Sequence, residues 1–114
     1  MAHFGFRTRN PSRDLSTDSE RLARLTRFLG QLRSEIEGEA RGLRARYENA
    51  QTSAAFAYQV AEDEGEAWLA QKADRSALAM SRYGERLAAL HRQSELLGKL
   101  ESDAADLSKG PASI

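Results

Sequence analysis

Cysteine is absent from this 114-residue chain. Its absence removes disulfide stapling and thiolate catalysis together, and makes a reducing cytoplasm the expected compartment. Valine and isoleucine are almost as scarce, with Val60, Ile36 and Ile114 the only three. A sheet would lack the residues that pack best on a pleated surface. Alanine, leucine, arginine and glutamate dominate instead, and all are strong helix formers. Proline occurs only at Pro11 and Pro111, so the long stretch between them is free of the residue that helix interiors reject. No apolar run approaches the ~20 residues that a membrane span needs. The leading MAHFGFRTRNP carries arginines and two phenylalanines but no apolar core of a secretory signal.

The length suits one domain and is too short for two independent cores. Charged residues at 30% exclude a membrane protein, and hydrophobic residues at 40% exclude a wholly disordered one. Arginine far outnumbers lysine, which points to GC-rich bacterial coding and carries little functional information. Net charge is zero, but it is unevenly placed. Residues 1–15 hold Arg7, Arg9 and Arg13 against Asp14, whereas residues 50–66 hold Glu62, Asp63, Glu64 and Glu66 with no base. A dedicated nucleic-acid binder shows a basic excess on one element, and here only the N-terminal stretch leans that way.

Thr17 with Glu20 reads as a capping box opening a helix. Gly110 followed by Pro111 reads as a helix stop. Between them the apolar spacing is helical. Leu22, Leu25, Leu29, Leu32, Ile36, Ala40, Leu43, Tyr47, Ala50, Ala54, Ala57 and Ala61 advance by threes and fours. So do Leu69, Ala73, Ser76, Met80, Tyr83, Leu87, Leu90, Ser94, Leu97, Leu100, Ala104 and Leu107. These are two sustained heptad seams. They part at Glu62, Asp63, Glu64, Gly65 and Glu66, where the seam lapses and the nearest glycine sits. Folding the chain at Gly65 makes facing residue numbers add to 130, so that Tyr47 meets Tyr83, Leu43 meets Leu87 and Ala57 meets Ala73. Nearer the open end the total drops to 129, pairing Leu32 with Leu97 and Leu22 with Leu107. An extra step of four at Leu32, Ile36 and Ala40 is a stutter that absorbs the shift.

The expected fold class is therefore all-α, an antiparallel two-helix hairpin of coiled-coil type. A flexible basic tail at 1–15 would precede a hairpin at 16–109, with helices of about 17–63 and 66–109 and a short tail at 110–114. Residues 49–53 admit a second topology, a three-helix bundle, with Asn49 ending one helix and Ser53 capping the next.

One seam cannot cover every apolar side chain. Phe28, Leu96 and Leu100 are in excess at the open end, and Phe56, Val60, Trp68 and Leu78 are in excess near the turn. Exposed apolar surface of this kind marks a partner, and dimerisation into a four-helix bundle is the simplest cover. Ala50, Ala54, Ala57 and Ala61 would allow helices to approach closely.

Catalytic chemistry has little to stand on. The acidic turn lacks the alternating oxygen ligands of a calcium loop. His91 has Glu95 one turn on but no Glu three residues before it, and no second helical histidine completes a di-iron pattern. The glycines at 30, 38, 42, 65, 84 and 98 are isolated and form no phosphate loop; Gly38 and Gly42 share a face that would permit a close helix contact. No catalytic residue, cofactor or metal is expected. The reading is a non-enzymatic, adaptor- or chaperone-like protein that binds protein partners as a homo-oligomer, without a membrane. A nucleic-acid-associated helical protein is the alternative, and a metal-binding bundle a distant third.

The stretch Phe4, Gly5, Phe6, Arg7, Thr8 and Arg9 places aromatic anchors beside cations, as a docking peptide does. Deleting residues 1–14 is expected to leave folding intact but to reduce partner capture in a pull-down. Loss of Phe4 and Phe6 would dominate for an apolar groove. Loss of Arg7 and Arg9, with strong salt dependence, would dominate for phosphate.

Overall fold

The computed structural model describes residues 10–109. Two helices account for nearly all of them: α1, Pro11–Glu64, and α2, Ala67–Ser108. They are 54 and 42 residues long and run antiparallel as a hairpin. Phe4, Phe6, Arg7 and Arg9, together with the stop at Gly110 and Pro111, lie outside the described residues.

Helix α1 starts earlier than Thr17. Asn10 is the N-cap, its side chain accepting from the Ser12 backbone N–H at 2.9 Å, and Pro11 occupies the first helical turn. Proline suits that position because its missing N–H would be unsatisfied there anyway. Asp14 adds a negative charge in the first turn, where the helix dipole favours one. Residues 11–15 therefore belong to the helix rather than to a tail, with Asn10 capping it. A deletion meant to spare folding has to stop before Asn10.

The turn falls at Gly65. Its φ of +67° is left-handed, and its N–H returns to the Ala61 carbonyl at 2.7 Å, closing α1. Glycine meets this geometry without the Cβ clash that other residues incur. Helix α2 then begins after Glu66. No break occurs at 49–53, where α1 is continuous and the Thr52 hydroxyl donates to the Glu48 carbonyl one turn back. The three-helix alternative is thereby excluded. Asn and Ser there lack a glycine or proline to force the stop.

The core is the seam between the helices. Its buried members are Leu29, Leu43, Ala54 and Ala57 from α1, with Leu69, Ala73, Leu90, Leu97 and Ala104 from α2. All belong to the two heptad series. Buried alanines concentrate near the turn and buried leucines toward the open end. The series fray at the open end, where Leu25, Leu100 and Leu107 stay exposed. Leu22 and Leu107 still border one hollow, consistent with facing positions. Because α1 is the longer helix by a dozen residues, its first turns project past α2. Leu15, on the seam's continuation, is consequently 68% exposed. The molecule is elongated, with a radius of gyration of 26.1 Å. A compact domain of this chain length would have one of ~13 Å.

No close contact forms at Gly38 or Gly42. A Cβ at Gly42 would meet nothing within 4 Å, and one at Gly38 would meet only the Arg41 guanidinium at 3.8 Å. Gly84, likewise in open space, is a helix-interior glycine that weakens α2 through backbone entropy. Gly84→Ala should raise stability by about 1 kcal/mol. Gly65→Ala, at a positive φ, should lower it by about 1 kcal/mol. Urea unfolding followed by circular dichroism distinguishes the two signs.

Candidate interaction face

The seam leaves two long flanks, and three polar contacts between the helices mark them. On one flank Arg86 grips Glu39 in two-pronged fashion, Nε donating to Oε2 at 2.7 Å and Nη2 to Oε1 at 3.1 Å. These bonds favour the charged forms, so the Glu39 carboxyl is held below its ordinary range, chiefly by the hydrogen bond from Arg86, and the Arg86 guanidinium is raised by the same bond. The pair's contribution is present above the usual glutamate range and fades as pH falls through the lowered Glu39 value. Both groups stand in solvent, which screens them.

The other flank carries Arg33 with Glu101 and Tyr58 with Asp74. Arg33 Nε lies 3.2 Å from Glu101 Oε1, an oxygen closed off from solvent whose one charged neighbour in reach is misaligned for a hydrogen bond. The Tyr58 hydroxyl donates to Asp74 Oδ1 at 2.5 Å. That flank also bears hollows bordered by Arg44, Tyr47 and Gly84, and by Ala40, Leu87 and His91.

Helical periodicity extends the Glu39–Arg86 contact into a continuous face. Residues seven apart recur on one side of a coiled coil. On α1 the stripe through Glu39 runs on through Arg46, Ser53 and Val60, with Phe56 four residues before Val60. Toward the open end it passes through Glu35 to Phe28. On α2 the stripe through Arg86 includes Ala79, Lys72 and Trp68 in one direction, and Gln93, Leu96 and Leu100 in the other. Since Arg86 and Glu39 touch, both stripes share one flank. Phe28, Leu96 and Leu100 thus meet Phe56, Val60 and Trp68 on a single face, as two apolar clusters with a polar waist between them. Phe56 is 67% exposed, Trp68 and Leu96 each 58%, and Phe28 56%, while Val60 is half-buried. Leu78 does not join them; it falls one residue out of step and points away from α1, 53% exposed.

The waist is cationic. Lys72, Arg75, Arg82 and Arg86 follow one another along α2 at spacings of three, seven and four, with Arg46 opposite on α1. The acidic turn residues Asp63, Glu64 and Glu66 cap the same face, and Glu66 accepts a 2.6 Å bond from the Trp68 indole. This bond fixes the indole at the hairpin tip with its ring toward solvent.

Sequence spacing alone did not single out the Glu39–Arg86 contact. Opposite charges at seam-flanking positions of antiparallel partners were the available signal. His91 binds Glu95 within its own helix at 2.9 Å and is exposed. Among the described residues there is no group of three or more side chains placed to hold a metal ion, and no helix is long and apolar enough to cross a membrane.

Tyr58 offers a clean probe of this geometry. Its hydroxyl is raised above the ordinary tyrosine value, first by the bond to Asp74, then by burial and the charge of Asp74. An acid whose folded value is raised adds stability below its unfolded value and loses it as pH climbs through the folded one. In a Tyr47→Phe, Tyr83→Phe background, phenolate absorbance of Tyr58 should therefore emerge later than that of free tyrosine. Asp74→Asn should bring it back toward the ordinary range; an unchanged curve would contradict the contact.

No family model, curated protein or solved structure matches this chain.

Proposed function

We propose that this protein is a non-enzymatic interaction module, an adaptor- or chaperone-like helical hairpin that self-associates and offers a helix face to another protein. One observation carries the reading: six large or branched apolar residues, drawn from both helices, fall on one flank instead of being scattered. Random exposure of apolar side chains is ordinary, whereas a concentrated face is not.

The amount of open surface agrees. The chain exposes 9148 Å², against ~6200 Å² for a compact protein of its 12.6 kDa mass. A two-helix hairpin buries one stripe per helix, and a second layer is the usual way to bury more.

A nucleic-acid-associated role is the second reading, now supported by the α2 cations Lys72, Arg75, Arg82 and Arg86 as well as by Arg7 and Arg9. Trp68 beside them offers a stacking surface. The acidic tip on the same face weighs against it.

At micromolar concentration, sedimentation velocity should report a species of at least twice 12.6 kDa. Phe56→Ser with Trp68→Ser should shift it toward monomer without loss of helicity, because both residues lie outside the seam. A monomer in the unmodified protein would contradict self-association. Salt-sensitive retention on DNA would favour the second reading.

A further inference from the structure

Resting on the self-association just proposed, we infer that the occupant of the turn end of this face is a second copy of the hairpin. The copy lies antiparallel, about a two-fold axis near Phe56, with its acidic tip on the cationic waist.

Charge selects this register among those that place the face against itself. In a tip-to-tip parallel pair, the four turn carboxylates Glu62, Asp63, Glu64 and Glu66 of each chain crowd the other four. The same pairing lays Arg46 against Arg82 and Arg86 of the copy. A full-length antiparallel pair centred at the waist again sets Arg46 and Arg86 against cations. Like charges so juxtaposed oppose association.

Centring the axis near Phe56 reverses the sign at both ends. Counting along the hairpin, Asp63 and Glu64 fall beside Arg46 of the copy, and Glu66 falls between its Arg82 and Arg86. The indole of Trp68 reaches the level of Arg82, where a guanidinium can lie over the ring. Phe56 meets Phe56 at the axis, with Val60 of each chain beside it. Like charges remain together only near the axis, where Arg75 faces Arg75 and Lys72 of the copy.

The area is sufficient. About twenty residues of each helix overlap, or ~30 Å at 1.5 Å per residue. With helices packed 8–10 Å apart the contact is ~20 Å wide, giving ~600 Å² per chain and ~1,200 Å² in all. That meets the lower bound of stable, specific interfaces. The open-end cluster of Phe28, Leu96 and Leu100 stays uncovered at each far end of such a dimer, available to a different protein.

A charge-swap mixing experiment tests the register. One variant carries Asp63→Lys and Glu64→Lys, and the other Arg46→Glu and Arg82→Glu. All four positions are exposed, so circular dichroism should match the parent. Each variant alone should dissociate, its dimer weakened at least about tenfold by reversal of several partly exposed pairs. An equimolar mixture should re-form a dimer, because lysine tips then meet glutamate waists while the original tips meet the original arginines. Sedimentation velocity at low salt reads all three samples. If either variant alone dimerises as the parent does, or if the mixture stays monomeric, the register is overturned while self-association stands. If the parent is itself monomeric, both proposals fall together.

Discussion

The packing of one narrow apolar seam along two antiparallel helices is the interaction on which every other feature of this protein depends. Its buried residues, among those described, are leucines and alanines alone, with the Glu101 Oε1 oxygen closed off from solvent at its edge. Such a seam is non-directional and tolerates sliding. What pins it is local: the left-handed Gly65 at one end, the stutter midway, and contacts such as Glu39–Arg86 on the flanks. A seam of this width also dictates incompleteness, because each helix turns only one stripe inward and the remainder faces water.

That incompleteness is organised. The flank marked by Arg33–Glu101 and Tyr58–Asp74 is polar, hollowed and rich in small residues. The flank marked by Glu39–Arg86 gathers Phe28, Phe56, Trp68, Leu96 and Leu100, large apolar side chains that the seam does not hold. An open face can be specific without an enclosing cavity. Apolar clusters provide affinity, and the order of charge between them decides which surfaces fit and in which register. The alternation here runs from acidic tip to cationic waist to leucine-rich open end.

Much of the fold was legible because its determinants are local or periodic. Helical content followed from composition, the seams from three- and four-residue spacing, and the reversal from Gly65 between two matching series. The beginning of α1 was misplaced because Thr17–Glu20 makes a plausible capping box. Asn10–Pro11 is an equally good start, and only six residues separate the two candidates. The proposed break at 49–53 failed because Asn49 and Ser53 are capping residues by preference, not by necessity. Seam packing through Tyr47, Ala50 and Ala54 carries the helix across them.

The apolar excess residues were identifiable one by one, as letters that no seam position claimed. Their convergence was not. Whether Phe28 and Leu96 share a flank with Phe56 and Trp68 depends on the handedness of the fold-back and on the helical phase after the stutter, neither of which a linear pattern states. The Glu39–Arg86 contact, formed across 47 residues of sequence, resolves that phase. Sequence by itself determined that this chain makes two helices and where it reverses, since propensity, periodicity and a single left-handed glycine act over a few residues each. Only the tertiary structure decided which outer residues stand together, because a flank exists only once two helices lie side by side.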